Sequence, residues 1–238
     1  MKVQTVPDTT ISIRMQNKKT MLDYCPPPHH KLDIIYADES LLVVSKPAGL
    51  LSVPGRAPEH RDCLITRVQE EFTAAQIVHR LDMSTSGLMV LACTQVAHRH
   101  LSRQFELRQV SKTYLAVARG HIKQAEGHID LPLMCDWPNR PRQIVDHAIG
   151  KPASTDYRVQ NYDRDSDTTR IELYPITGRT HQLRVHLQQL GHPILGDDLY
   201  ADPYTRQRSD RLLLHASELS FKHPLHLNVL RFVDPAPF

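Results

Sequence analysis

The chain has 238 residues, 40% of them hydrophobic, which is enough for a sizeable core, and no run approaches the roughly 18 apolar residues of a membrane helix. Its net charge of +3 and pI of about 8.7 permit RNA as a partner but fall short of the pI above about 9 of a purely electrostatic nucleic-acid binder. Cys25, Cys63, Cys93 and Cys135 contain no C-x-x-C pair, which excludes a zinc ribbon or redox motif and fits a reducing cytoplasm, and residues 1–19 lack the apolar region of a signal peptide.

In chain order, residues 1–30 are polar and end in Cys25-Pro26-Pro27-Pro28-His29-His30, where three prolines stop any regular element. They read as a flexible tail, with residues 10–13 alternating as an edge strand would. Residues 32–36 and 41–44 are apolar runs joined by Asp38-Glu39-Ser40, the pattern of a hairpin. Lys46-Pro47-Ala48-Gly49 breaks the second strand and opens a loop through Val53-Pro54-Gly55-Arg56. Residues 63–72 place Leu64, Ile65, Val68 and Phe72 on one helical face, and residues 95–108 form a second amphipathic helix. Residues 87–93 read as a buried strand, with further strands over 113–118, 155–159, 170–174 and 212–221. A helix over 180–190 is ended by Gly191 and Pro193. Strands outnumber helices and short turns join them, so residues 31–238 are expected to form one α+β domain around a mixed, largely antiparallel sheet. No repeat, low-complexity stretch or linker divides the body.

Four segments carry candidate chemistry. In His79-Arg80-Leu81-Asp82-Met83-Ser84-Thr85-Ser86-Gly87-Leu88, a single carboxylate stands between an apolar approach and a strand-like exit. There it can be partly buried with its oxygens facing a cleft, as a nucleophile or acid/base requires, although an Asp before Ser-Thr-Ser-Gly is also an ordinary turn former. Tyr114 follows Ser111-Lys112-Thr113 at the start of a strand, either in a cleft or anchoring the sheet. Pro175-Ile176-Thr177-Gly178-Arg179-Thr180-His181-Gln182-Leu183-Arg184 reads as strand, tight turn and helix, with Arg179 near the helix start, where backbone N–H groups and a guanidinium both face an anion. His215, in Arg211-Leu212-Leu213-Leu214-His215-Ala216, suits the floor of a cleft or a hydrogen-bonded place in the core.

Other chemistries fail on spacing. Gly150-Lys151 lacks the glycine and the Ser/Thr of a P-loop, no G-x-G-x-x-G follows a strand, and the P-C-x-x-C of zinc deaminases is missing. His181 and His186 are five apart rather than the four that would align metal ligands on a helix, so no metal site is expected.

Taken whole, the Asp82 string resembles H-R-L-D-x-x-T-S-G-L, the signature of the RluA-type pseudouridine synthases. Residues 177–184 are similar to the family's T-G-R-x-H-Q-[LI]-R, residues 211–216 to its R-L-x-L-H-A, and residues 46–56 to its N-terminal motif. The resemblance covers about residues 32–235 and includes no S4-like RNA-binding domain. It implies the pseudouridine synthase fold with a central cleft, and isomerisation of specific uridines in a tRNA anticodon stem-loop and a 23S ribosomal RNA hairpin, with no metal or organic cofactor. Asp82 is then the nucleophile, acting at C1′ of the ribose or C6 of the base. Tyr114 stacks on the base and takes the C5 proton. Arg179 pairs with Asp82, since an opposite charge within about 4–6 Å favours the ionised carboxylate.

The target base must be extruded from its stack. Arg80 is expected to fill the vacated space or to touch phosphate, and His79, Thr85, Leu183, Arg56, Arg142 and His215 to contact substrate. Arg103, Arg108, Lys112, Arg140 and Arg184 are further candidates for phosphate. A cytoplasmic monomer is expected. The alternatives are a non-catalytic RNA-binding or ribosome-assembly protein on the same fold, and a nucleosidase, for which no second motif carboxylate is in evidence.

Overall fold

The computed structural model describes residues 24–30 and 32–238; residues 1–23 of the tail expected over residues 1–30, with its alternating stretch, lie outside them. Residues 24–30 lie against the body. The Tyr24 hydroxyl donates to the Asp62 carbonyl (2.7 Å) and accepts the Leu51 N–H (3.1 Å), and the buried Arg67 guanidinium donates to the Pro27 carbonyl (2.7 Å). Prolines bar regular structure but keep their carbonyls, which here satisfy a buried cation.

Strands β1 (Asp33–Ala37) and β2 (Leu41–Lys46) form the expected hairpin, and helix α1 (Leu64–Gln69) follows. The short β3 (Gln76–Ile77) leads to β4 (Ser86–Ala92), α2 (Gln95–Glu106) and β5 (Ser111–Arg119). Then come β6 (Glu126–Asp130), the hairpin of β7 (Leu133–Cys135) and β8 (Gln143–Val145), and the long strands β9 (Ser154–Asp163) and β10 (Thr168–Pro175). Helices α3 (Gln182–Gln189) and α4 (Pro203–Gln207) precede β11 (Leu214–Lys222) and β12 (Val229–Val233).

The main sheet runs β1-β2-β4-β11-β5-β10-β9-β6, with β3 on β4 and β12 on β11. Its pairs are antiparallel except β4 with β11, which lie parallel through His215 opposite Ser86 and Ala216 opposite Gly87. This is the mixed, largely antiparallel α+β architecture expected. The strand-to-strand alternation of β4 explains its place at the centre. Met89 and Leu91 face Val44, Leu64 and Val68 on one side, while Leu88 and Val90 face Val43, Leu101 and Phe221 on the other. Gly87 makes the parallel junction possible: its φ is +110°, and a Cβ there would run into the Ala216 backbone. Helices are shorter than their apolar patterns. The pattern over 95–108 ends at Glu106 because Arg108 takes a positive φ (58°), and that over 180–190 starts only at Gln182 because His181 does the same (53°). None of the described helices is long and apolar enough to cross a membrane.

Candidate active site

The loop of residues 78–85 enters β4 beside the parallel junction and is fastened from below by the connection after β2. Ser52 Oγ donates to the Leu81 carbonyl (2.7 Å) and accepts the Leu81 N–H (3.1 Å), and Gly49 N–H donates to the Met83 carbonyl (2.8 Å). Lys46, fully buried, reaches the carbonyls of Pro47 (2.8 Å), Leu50 (2.7 Å) and Met83 (3.1 Å). Burial pulls the pKa of this ammonium down to about 7, against the charge of Asp82, which holds it up. The Asp82 loop is thus clamped through its backbone, and the carboxylate keeps 25% of its side-chain surface exposed.

Two cationic or potentially cationic groups face that carboxylate. Arg184 Nη1 lies 4.0 Å from Oδ2 and His181 Nε2 lies 3.9 Å from Oδ1. His181 immediately precedes α3 and Arg184 lies in its first turn. Gln182, buried, builds the turn into α3: its Oε1 accepts the Arg179 N–H (2.9 Å) and the Thr177 hydroxyl (2.7 Å), while its Nε2 donates to the Ser154 carbonyl and to Thr155 Oγ1 (2.9 Å each). Burial opposes the charge on Arg184, but Asp197, Asp82 and Asp198 more than offset it and raise its pKa above the ordinary guanidinium value. Burial holds His181 below the usual imidazole range in spite of Asp82. Tyr114 shares the cleft; burial and the Asp82 charge push its phenol well above its ordinary value, so it stays neutral.

The cleft is narrow, with a cavity volume of about 90 Å³, and is lined by Arg80, Asp82, Thr85, Lys112, Tyr114, Arg179, His181, Leu183 and Arg184, together with Pro175, Thr177 and Gly178. Burial, then Arg108, lowers the Lys112 ammonium. A wider, open groove of about 580 Å³ at the β6 edge is lined by Glu126, His128, Asp156, Tyr157, Arg158 and Tyr174.

The structure therefore brings Asp82, Tyr114, Arg80, Thr85, Leu183 and Arg179 into one cleft, but it corrects several expectations. The ion pair expected between Arg179 and Asp82 is formed by Arg184 instead. Arg179 is exposed at the rim and donates through Nε to the Pro152 carbonyl (3.1 Å). Arg184 is no phosphate ligand, for its guanidinium is buried between carboxylates. His215 is not a substrate contact: it is 2% exposed, its Nδ1 meets Ser86 Oγ (2.8 Å) and its Nε2 the Asp234 carbonyl (3.0 Å). His79 also turns away from the cleft. It stacks on Phe105 at 4.4 Å and accepts the Val90 N–H at Nε2 (3.0 Å), and burial, with Lys112, drives its pKa down to about 3. Arg56 is exposed in the loop before α1, outside the residues lining the cleft, and Arg142 is exposed in the β7–β8 hairpin with its guanidinium 5.5 Å from the Tyr200 ring. Among the described residues no cluster of His, Cys, Asp or Glu has the arrangement of a metal site.

Residues 40–189 match the family model described as RNA pseudouridylate synthase. The chain is 53% identical over 218 residues to the dual-specificity RNA pseudouridine synthase RluA of Escherichia coli strain K12, covering 92% of this chain and 99% of the relative. It is 55% identical over 207 residues to the protein of the same description in Vibrio parahaemolyticus, covering 86% of this chain and 83% of the relative. Among solved structures it is similar to human RNA pseudouridylate synthase domain containing 1, with a TM-score of 0.74 and 32% identity over 89% of this chain and 87% of that one.

Proposed function

The chain belongs to the RNA pseudouridylate synthase family and is an enzyme that isomerises uridine in RNA; from that premise we propose that Asp82 is its nucleophile and that its substrates are a tRNA anticodon stem-loop and a large-subunit ribosomal RNA hairpin. The observation that carries the assignment is the partly exposed Asp82 carboxylate, with Arg184 and His181 within 4.0 Å and Tyr114 across the same cleft. Isomerisation breaks the N1–C1′ bond, turns the uracil and joins C5 to C1′. A carboxylate oxygen at the sugar–base junction meets C1′ on one side and C6 on the other, and a neighbouring positive charge stabilises it whenever it is released from carbon.

Tyr114 supplies a flat ring for the extruded uracil. Because its phenol is neutral, it takes the C5 proton by relay, passing its own proton on toward N1, which carries a hydrogen in the product. Leu183 and Thr85 line the same wall, and Arg80, exposed at the mouth, is placed to stack in the gap left by the base. Arg179 at the rim, Lys112 in the cleft, and Arg140 and Arg142 on the β7–β8 hairpin are the cations nearest to an incoming backbone. Dual specificity, the property named in the description of the Escherichia coli relative, is then recognition of shape and of splayed loop bases. The protein is read as acting in the cytoplasm as a monomer.

The test is release of tritium from C5-labelled uridine in stem-loop RNA, with a carbodiimide map of the product. Asp82→Asn and Asp82→Ala abolish release while RNA binding persists. Full activity in either variant removes Asp82 from the mechanism, and binding without any pseudouridine in the wild type favours a non-catalytic role.

A further inference from the structure

Asp82 Oδ1 faces His181, and His181 is itself held from behind. Its Nδ1 lies 2.7 Å from the Tyr200 hydroxyl, and that hydroxyl oxygen already accepts the Gln143 N–H of β8 (2.8 Å). Among the described residues His181 is the acceptor within reach of the phenolic proton. Tyr200 therefore donates to Nδ1, and because burial keeps the imidazole neutral, its one N–H sits on Nε2, the atom facing Asp82 at 3.9 Å. The opposite tautomer would turn a lone pair toward a carboxylate. The arrangement is tightly built: Tyr200 is 7% exposed, packs with Leu133, Ala153 and Val185, and meets the His181 ring edge-on at 5.6 Å.

The same loop grips the other neighbour of the nucleophile. Asp197, fully buried, takes Nε and Nη2 of Arg184 at 2.8 and 2.7 Å and is fixed in turn by the N–H groups of Leu199 and Tyr200. Gly196 starts this loop with a φ of +73°, and a Cβ there would strike the Arg211 carbonyl.

We propose that His181 is a further catalytic residue of this reaction, presenting a hydrogen-bond donor at Nε2 to Asp82, and that Tyr200 is the positioning residue that fixes its tautomer and ties it to the β7–β8 hairpin. The proposal rests on Asp82 being the nucleophile. At 3.9 Å the contact is longer than a hydrogen bond, and it closes with a shift of about 1 Å when substrate fills the cleft. Arg184 and His181 then hold different oxygens of the carboxylate, which sets the rotation of Asp82 about its own side-chain bonds. Tyr200 also connects substrate contact to that geometry, since the residue before Gln143 is Arg142, whose guanidinium lies over the Tyr200 ring.

Tyr200→Phe keeps the ring and its packing and deletes only the hydroxyl. Its kcat falls about tenfold to a hundredfold, the scale of a small misplacement of a reacting group, while KM for stem-loop RNA stays within twofold and the melting temperature falls by a few degrees, because the Gln143 N–H loses its acceptor. Nitrogen-15 NMR of the ring, assigned by difference with His181→Gln, shows the Nε2–H tautomer in the wild type at pH 7.5 and a mixture in Tyr200→Phe. A wild-type His181 in the Nδ1–H or charged form, or a folded Tyr200→Phe with kcat within twofold of wild type, overturns the proposal. The tautomer is read without turnover, so it is tested even if Asp82 proves not to be the nucleophile, which Asp82→Asn decides separately.

Discussion

Arg179, before α3, and Arg184, in its first turn, separate cleanly under substitution. Arg184→Met removes a guanidinium that is 2% exposed and holds Asp197 by two hydrogen bonds, Asp198 by one at 3.0 Å, and faces Asp82 at 4.0 Å. Asp197, with no exposed surface, would keep only the backbone donors of Leu199 and Tyr200, both on Oδ1. Breaking a buried pair of this kind costs about 3–5 kcal/mol. For a domain of this size that is a fall of roughly 6–20 °C in Tm, at about 2–4 °C per kcal/mol. The catalytic loss has a ceiling: two unit charges 4.0 Å apart attract by about 4 kcal/mol at an effective dielectric of about 20. Only the part of this that differs between ground and transition state counts, which makes a loss of about 10- to 100-fold in kcat the expectation. Arg179→Met touches an exposed side chain whose Nε bonds one carbonyl. Stability should stay within about 0.5 kcal/mol and kcat within threefold, with any effect in KM. Arg184→Lys, which keeps the charge and loses the fork, lies between and guards against outright unfolding of the Met variant. The assay is tritium release under saturating and subsaturating RNA, paired with thermal melts. If Arg179→Met lost kcat 30-fold while Arg184→Lys and a folded Arg184→Met kept it, the assignment of the Asp82 partner made from the structure would be wrong.

Gly87→Ala should destabilise by about 3 kcal/mol or more, seen as a drop in urea midpoint, because the new methyl meets the Ala216 backbone at a positive φ; a neutral result would mean that β4 and β11 separate without cost. Stability should fall on acidification in two windows. His79, His181 and His186 sit below the usual imidazole value because of burial, so the unfolded chain binds protons that the folded one refuses as pH drops below about 6.5. Asp38, where burial is outweighed by hydrogen bonds from His223, Ser40 and Tyr36, and Asp62, bonded to Arg67, have depressed values; their contribution is complete above about pH 4 and lost below it, and a urea midpoint rising between pH 7 and 5 would contradict the scheme. Trp137, 61% exposed on the β7–β8 hairpin with the Arg140 guanidinium 3.9 Å from its ring, offers a stacking platform. Trp137→Ala should raise KM for stem-loop RNA by about 5- to 100-fold and leave kcat intact, as loss of one stacked base at about 1–3 kcal/mol requires, and an unchanged KM would place the RNA elsewhere.

What the sequence revealed of this site follows from which interactions are local. The hairpin of β1 and β2 was legible because Asp38 makes its own turn, accepting the N–H groups of Ser40 and Leu41 (2.7 and 2.9 Å). Strand β4 was legible because it is apolar on both faces. By contrast β6 is Glu126-Gly127-His128-Ile129-Asp130 with one buried residue, and β7 and β8 have three residues each; pairing with neighbours, rather than their own pattern, makes them strands. The Arg179 error has the same origin. Read along the chain, the arginine beside the Thr-Gly turn looks nearest to an anion. The backbone reverses at His181, and the helix begins one residue later with residues 182–187 all buried. Arg184 sits inside the apolar run Leu183 to Val185, and a guanidinium is tolerated there only where carboxylates wait for it. Asp197-Asp198, thirteen residues on, was the available signal. The same reasoning applies to His215, which follows three leucines and was always a better candidate for the core than for the cleft. Charged residues embedded in apolar runs thus pointed to the interior scaffold of the site, while those next to glycines and turns pointed to its rim. The nucleophile satisfies both conditions at once: Leu81 before it is buried, Met83 and Ser84 after it turn the chain, and the carboxylate is left at the boundary, reachable from solvent and held by cationic neighbours from a segment a hundred residues away.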